Sequence, residues 1–430
     1  MCGFMATFVH PGTVLTDRVF TVPLDHGEPD GEQIEIFARE VKAGRGSDDL
    51  PWLVFLQGGP GFGAPRPVGR DSWLDRALRD YRVLLLDQRG TGRSTPATRQ
   101  TLTRFETALA QADYLAHFRA DSIVADAELI RPQVTGGAQW SVLGQSFGGF
   151  CAVSYLSLAP AGLQGAFITG GLPGLTASAD DVYRLTYPIV AARCLAHYER
   201  YPQDVQTARR IARLLADTPA TLPGGGTLTV ERFQALGSML GSSTGSHELH
   251  YLLENPFADG ELTDDFLRQA EHHLGYGSAP MYALVHEACY AQGGATRWSA
   301  QRVRAEFPEF SPAVAIDGDA PLLFTGEMVY PWLFEHDPAL RPLAEAAELL
   351  AARQGWPSLY DPAQLSGTDI PVAAAIYFND MYVPRELSLQ TAASIRGLRA
   401  WVTSEYEHDG LRVSNGAVLD RLIAMARDEV

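Results

Sequence analysis

Cysteine is scarce. Cys2, Cys151, Cys194 and Cys289 are the only four in 430 residues, and none forms a CxxC pair. That argues against a disulfide scaffold or a zinc ribbon and points to a reducing compartment. Positive charge is also short: 34 Lys and Arg face 51 Asp and Glu, for a net charge of −17. A nucleic-acid binder needs a basic face to displace counterions, and an anionic membrane surface asks for the same, so both partners are disfavoured. No stretch reaches the ~18 consecutive apolar residues of a membrane span. The opening MCGFMATFVHP has neither a basic n-region nor a long apolar run, so no secretory signal is expected. The expectation is a soluble, cytoplasmic protein. What is abundant is apolar sequence: 46% hydrophobic against 20% charged excludes a disordered chain and supports a large core. At roughly 150 residues per domain the length corresponds to about three units.

The first part of the chain alternates short apolar runs with turns. Residues 33–41 (QIEIFAREV) alternate at period two, as a half-buried strand does. Residues 51–56 (PWLVFL) and 81–86 (YRVLLL) are unbroken apolar runs, each ended by a Gly-rich turn, which is the look of strands covered on both faces. Strands are also predicted at 140–143 and 163–169, with helices at 121–134 and 150–158. Strands alternating with helices give βαβ units and a mostly parallel sheet, whose active site lies beyond the carboxyl ends of the strands. After about residue 175 the pattern turns helical, with periodic stretches at 179–201, 204–216, 230–240, 264–274 and 340–354, and one strand signal at 320–325. Strand character returns at 371–378 and 398–403, before a last helix at about 415–427. The expected organisation is an α/β core of residues 1–174 and 367–430, split by a mainly helical insertion at 175–366.

Gly144-Gln145-Ser146-Phe147-Gly148 fits G-x-S-x-G with a strand before it and a helix after it. A nucleophile on so sharp a turn needs glycines two residues either side, and the helix start adds backbone N–H groups beside it. A serine needs a base, and the base needs an orienting carboxylate. On this fold they follow in the order Ser, acid, His. Of 11 histidines only His408 follows the second block of core strands, and Asp380 lies just past the strand at 371–378. Asp409 and Asn379 are the nearest rivals for the acid. Four glycines in the six residues 58–63 follow the strand at 51–56, where a backbone N–H can approach an oxyanion; Gly59 and Phe147 are the expected donors. His247-x-x-His250 and His272-His273 lack a metal-ligand set at recognisable spacing, and neither a dinucleotide fingerprint nor a Walker lysine is present, so no metal and no cofactor is expected.

Gln57-Gly58-Gly59-Pro60-Gly61, Asp87-Gln88-Arg89-Gly90-Thr91-Gly92-Arg93-Ser94 and the serine motif together resemble the proline iminopeptidases. The resemblance extends over nearly the whole chain, and the length fits the larger branch of that family. It implies an α/β-hydrolase core with a helical cap, and removal of N-terminal proline from small peptides with a free amine. It also implies that cap carboxylates bind the amine, for which Glu287 (in VHEACY) and Glu327 (in FTGEMVY) are the loose matches. Both lie in apolar, aromatic stretches, where an unpaired carboxylate would be costly. Tyr330, Trp332 and Phe334 could wall a ring-sized pocket, though core packing suits most of them better. One departure is Gln57, where the shorter branch usually has His; the glycine backbone is unaltered by it. In the family the loop at 87–94 supports the site, and Asp87 and Arg89 read as an Asp–Arg brace. A carboxylesterase, lactonase or amidase, another aminopeptidase or tripeptidyl specificity, and a non-catalytic binding protein are the alternatives on this scaffold. A haloalkane dehalogenase or epoxide hydrolase would need Asp at position 146.

Overall fold

A computed structural model describes residues 2–44, 47–69 and 72–430. Nine strands form one sheet: β1 (Cys2–His10), β2 (Thr13–Pro23), β3 (Gln33–Ala43), β4 (Trp52–Leu56), β5 (Arg82–Leu86), β6 (Trp140–Gln145), β7 (Leu163–Thr169), β8 (Val372–Tyr377) and β9 (Arg399–Thr403). Their order across the sheet is β1-β2-β3-β5-β4-β6-β7-β8-β9. The first three pair antiparallel and join β5 antiparallel; from β5 through β4 to β9 every pairing is parallel. The strands expected for the α/β core, at 33–41, 51–56, 81–86, 140–143, 163–169, 371–378 and 398–403, are all in this sheet. The hairpin β1–β2 extends it at an edge that the sequence patterning left unassigned.

Two covered faces explain the unbroken apolar runs of β4 and β5. Leu53, Phe55, Val83 and Leu85 pack with Trp73, Leu74, Leu419 and Leu422 from the helices Ser72–Ala77 and Ala417–Ala426. Val54, Leu56, Leu84 and Leu86 join the opposite cluster, with Ile123, Val124 and Val153 from the helices Ala120–Thr135 and Phe147–Leu158.

Between β7 and β8 no strand joins the sheet among the described residues; the segment is helical, with two short ribbons. The helices Ala179–Arg200, Asp204–Asp217 and Asp264–Leu274 fall where the periodicity put them. The stretch expected as one helix at 230–240 is a short helix, Val230–Gln234, that tightens into a 3-10 turn, Ala235–Gly241.

The strand expected at 320–325 does not form. Among the described residues no β-strand pairs with the segment; its polar groups are met instead by neighbouring helices and their side chains. Tyr198 Oη donates to the Leu322 carbonyl (2.7 Å), Gln234 Nε2 to that of Leu323 (2.7 Å) and Thr325 N to that of Gln234 (2.8 Å). Apolar residues alone read as a strand; the missing partner decided otherwise.

Candidate active site

Ser146 sits between β6 and the helix Phe147–Leu158 with φ 57° and ψ −126°, a conformation that L-residues rarely adopt. The turn closes only because its neighbours lack side chains. A Cβ on Gly148 would collide with the Leu56 carbonyl, and one on Gly144 with that of Gly148. The carboxyl ends of four strands are then tied side by side. Ser146 N donates to the Thr169 carbonyl (3.0 Å), Gly170 N to Ala375 (3.0 Å) and Phe378 N to Thr403 (2.8 Å). The loops after β6, β8 and β9, which carry Ser146, Asp380 and His408, therefore leave one edge of one sheet.

Asp380 and His408 meet there. His408 Nδ1 lies 2.7 Å from Asp380 Oδ2, and the other carboxylate oxygen accepts from Tyr382 N (2.9 Å) and Val383 N (3.1 Å). Asp380 is 2% exposed and His408 8%. Burial pushes the imidazole pKa down, but the Asp380 charge and hydrogen bond outweigh it, and the net shift is upward. The ring is held from two sides: Tyr382 packs edge-on at 4.8 Å, and Gly170 leaves room where a Cβ would come 3.1 Å from Nδ1. The rival acids are elsewhere engaged or placed. Asp409 Oδ2 accepts from Ser243 Oγ (2.7 Å), and Asn379 is exposed. Among the described residues no hydrogen bond links His408 to Ser146 Oγ; contacts of this kind are often long until substrate arrives.

Gly59, at φ 136°, belongs to the loop that passes the serine; a Cβ on Gly58 would come 2.9 Å from Ser146 Cβ. Among the described residues the N–H groups of Gly59 and Phe147 donate to no protein acceptor, the latter because it opens its helix. Gln57, with its amide oxygen turned to them, accepts from Gly58 N (3.2 Å) and Arg412 Nη2 (3.0 Å). Gln88 Nε2 holds the Gln57 carbonyl at 3.0 Å.

The brace expected between Asp87 and Arg89 is two braces. Asp87, wholly buried, accepts from Ala64 N (2.9 Å), Arg93 N (2.9 Å) and the Arg66 guanidinium. Arg89 instead forks onto Asp126 (2.8 and 2.6 Å) and fills its other donors with the carbonyls of Leu24 and His117. The two side chains point to different anchors, so one fixes the loop after β4 and the other fixes the helix Ala120–Thr135.

Glu327 is half-buried and accepts from Tyr282 Oη (2.8 Å). With Phe62, Tyr276, Tyr282, Leu333 and Tyr382 it lines a cavity of about 290 Å³ that adjoins His408 through Tyr382. Its charge reaches His408, raising that pKa further. Glu287 is not among the residues of that cavity. Its oxygens accept from Ser299 N (3.0 Å) and Ala300 N (2.9 Å), capping the helix Ser299–Arg304, and burial raises its pKa. A helix start satisfied the carboxylate that the apolar stretch seemed to leave unpaired. Tyr330 is core, bonded to Tyr187 Oη at 2.9 Å. Tyr276, Tyr282 and Tyr382 wall the cavity in its place. The signal for the second of these was in the sequence, because Tyr282, His286 and Tyr290 recur every four residues on one helical stripe.

A family model of the alpha/beta hydrolase fold matches residues 51–256. The proline iminopeptidase of Aeromonas sobria is 48% identical over 423 residues, covering 98% of each chain. The chain belongs to the proline iminopeptidase family. A second family member, proline iminopeptidase aneH of Aspergillus aculeatus, is 38% identical over 96% of this chain and 93% of its own. In this proline iminopeptidase the α/β-hydrolase sheet carries the strained serine turn, and the long helical segment between β7 and β8 lines the cavity with Tyr282 and Glu327.

Proposed function

We propose that this chain is a serine exopeptidase that releases N-terminal proline from small peptides, with Ser146 as nucleophile, His408 as base and Asp380 as its orienting acid. The observation that carries the assignment is the 2.7 Å pair of His408 Nδ1 and Asp380 Oδ2 at the sheet edge where Ser146 leaves β6. Ser146 Oγ attacks the carbonyl of the first residue while His408 takes its proton and later gives it to the leaving amine. Asp380 keeps the imidazole in the tautomer that faces the serine. The N–H groups of Gly59 and Phe147 stabilise the oxyanion, and no metal or cofactor enters the reaction.

Glu327 binds the protonated terminal amine, which makes cleavage exo: a peptide entering mid-chain brings no cation to it. Glu287 keeps the cap in shape and does not touch substrate. Residues 175–366 act as that cap, roofing a core of 1–174 and 367–430, and they limit entry to small, unfolded chains. Cys151, Cys194 and Cys289 are buried free thiols, which supports residence in the cytoplasm.

Rates on prolyl and acetylprolyl anilides test the reading. Acetylation is expected to abolish turnover, and Glu327→Gln to cut kcat/KM on the free substrate at least about 100-fold. Glu287→Gln is expected to lower thermal stability and leave kcat/KM of the folded enzyme within about threefold. Equal rates on blocked and free substrates would refute amine recognition.

A further inference from the structure

One hydrogen bond to Asp380 fixes one nitrogen of the His408 ring, and by itself it leaves the ring free to tilt about that bond. Proton transfer is sensitive to such a tilt, because a misplacement of about 1 Å at a reacting group can cost about 100-fold in rate. The side chain packed edge-on against the imidazole is Tyr382, with centroids 4.8 Å apart and planes at 86°.

Tyr382 is held at both ends. Its main-chain N–H donates to Asp380 Oδ1 (2.9 Å), two residues earlier in the same loop. Its Oη donates to the Ser238 carbonyl, in the 3-10 turn Ala235–Gly241 of the segment inserted between β7 and β8. The ring lies against Gly241 of that turn, where a Cβ would run into it. Any apolar side chain could fill the space beside His408; the hydroxyl adds a direction, because it fixes how far the ring can turn.

The turn is firmly backed. Thr325 N donates to the Gln234 carbonyl just before it (2.8 Å), and a Cβ on Gly237 would strike Phe324 and Thr325. Arg193 holds the Leu240 carbonyl (2.9 Å) with one nitrogen and Glu407, the neighbour of His408, with another (2.7 Å). The Gly241 carbonyl accepts from His408 N (3.2 Å). The backbone of His408 and the ring beside its imidazole are therefore fastened to one turn, which belongs to the inserted segment and not to the sheet. Ala235, Ser238 and Tyr382 also line the cavity that holds Glu327.

We propose that Tyr382 is a positioning residue for His408, through which the inserted segment sets the orientation of the base. This rests on the exopeptidase reading above. Tyr382 moves no proton; it keeps the imidazole from tilting away from the line between Asp380 and the serine.

The test pairs two reactions. Turnover of a prolyl anilide needs both the cavity and the base. Phosphorylation by diisopropyl fluorophosphate, which carries no amine, needs the nucleophile and the base alone: Ser146 Oγ forms the P–O bond, fluoride leaves, and His408 takes the proton. Tyr382→Leu is expected to lower kcat on the anilide and the labelling rate each about 10- to 100-fold, with the final extent of labelling counting competent enzyme. Tyr382→Phe, which keeps the ring, should regain most of both rates and stay within about fivefold of wild type. Gly241→Ala, which pushes the ring aside, should slow labelling in the wild-type background and add less than about twofold to Tyr382→Leu. A loss confined to the anilide would make Tyr382 only a wall of the cavity and overturn the proposal. Unchanged labelling in Tyr382→Leu or in Gly241→Ala would overturn it too, as would a full additive effect of the two. Should Tyr382→Leu not fold by far-ultraviolet dichroism, the labelling rate of Gly241→Ala decides alone. If the wild-type enzyme itself resists the reagent, the serine reading fails first.

Discussion

His408 is under two opposed influences, and their balance makes activity and stability respond to pH in opposite senses. Burial disfavours the imidazolium, the Asp380 carboxylate favours it more strongly, and the folded-state pKa ends above the 6.5 of a free imidazole. A raised pKa means that this interaction stabilises the fold fully below about pH 6.5 and loses that contribution as pH rises through the folded value. In the proposed role of base His408 must be unprotonated to work, so kcat/KM is expected to rise across the same interval, with its acid limb centred above 6.5. Asp380→Asn removes the larger of the influences that raise the pKa, leaving the burial that lowers it opposed only by the smaller effect of Glu327. The limb should then move below 6.5, and kcat should fall by about 10³- to 10⁴-fold because the tautomer is no longer held. A pH profile of kcat/KM for the two enzymes checks this; an acid limb that stays in place would show that another group sets it. The same scale shows what sequence could give. The strained turn at Ser146 was legible from its glycines, and the contact of Asp380 with His408 from their order along the chain. Glu287 read as unpaired because the helix start that satisfies its carboxylate lies 12 residues further along the chain, outside the stretch that frames it.

At the scale of elements, the site depends on loops that are pinned from behind. The segment 87–94 reads as one motif in the sequence but works as two anchors, since Asp87 gathers the loop after β4 and Arg89 locks onto Asp126 of the helix Ala120–Thr135. Neighbours in sequence suggest a mutual pair, yet the chain turns at 88–91, where Thr91 N donates to the Gln88 carbonyl (3.0 Å), and the true partners come from distant segments. The same limit explains the failed strand at 320–325, where apolar content was legible and the absence of a pairing partner was not. The sheet itself was well forecast, because strands covered on both faces leave unbroken apolar runs that turns clearly bound. Arg89 is 1% exposed, and Asp126 supplies its counter-charge. Asp126→Asn would leave a buried guanidinium without an anion, at a cost of about 3–5 kcal/mol. Urea unfolding should show that loss, while fluorophosphonate-titrated enzyme keeps kcat within a fewfold. A loss of under about 1 kcal/mol would mean that the Leu24 and His117 carbonyls hold Arg89 unaided.

For the whole molecule the question is whether the segment between β7 and β8 behaves as a separate lid or as part of one body. Its buried residues, among them Tyr183, Tyr187, Leu236, Phe324 and Tyr330, belong to the same apolar cluster as Val54, Leu84 and Val153 beside the sheet. It is also fastened beside His408: His408 N donates to the Gly241 carbonyl (3.2 Å), Arg193 reaches Glu407 (2.7 Å) and Ser243 reaches Asp409 (2.7 Å). A lid that opened as a rigid unit would expose that shared apolar surface to water, at about 25 cal/mol for each Å² uncovered. Peptide entry is therefore expected through the side of the cavity bordered by the exposed His273, Gly275 and Ser278 rather than by lifting the segment. Tryptophans report on both parts, with Trp52, Trp73 and Trp140 in the sheet region and Trp298, Trp332 and Trp356 in the inserted segment. Denaturation followed by tryptophan fluorescence, far-ultraviolet dichroism and loss of activity should trace one coincident transition. Activity lost at clearly lower denaturant than the dichroism would show the inserted segment unfolding first, and a hinged lid would then be the better description.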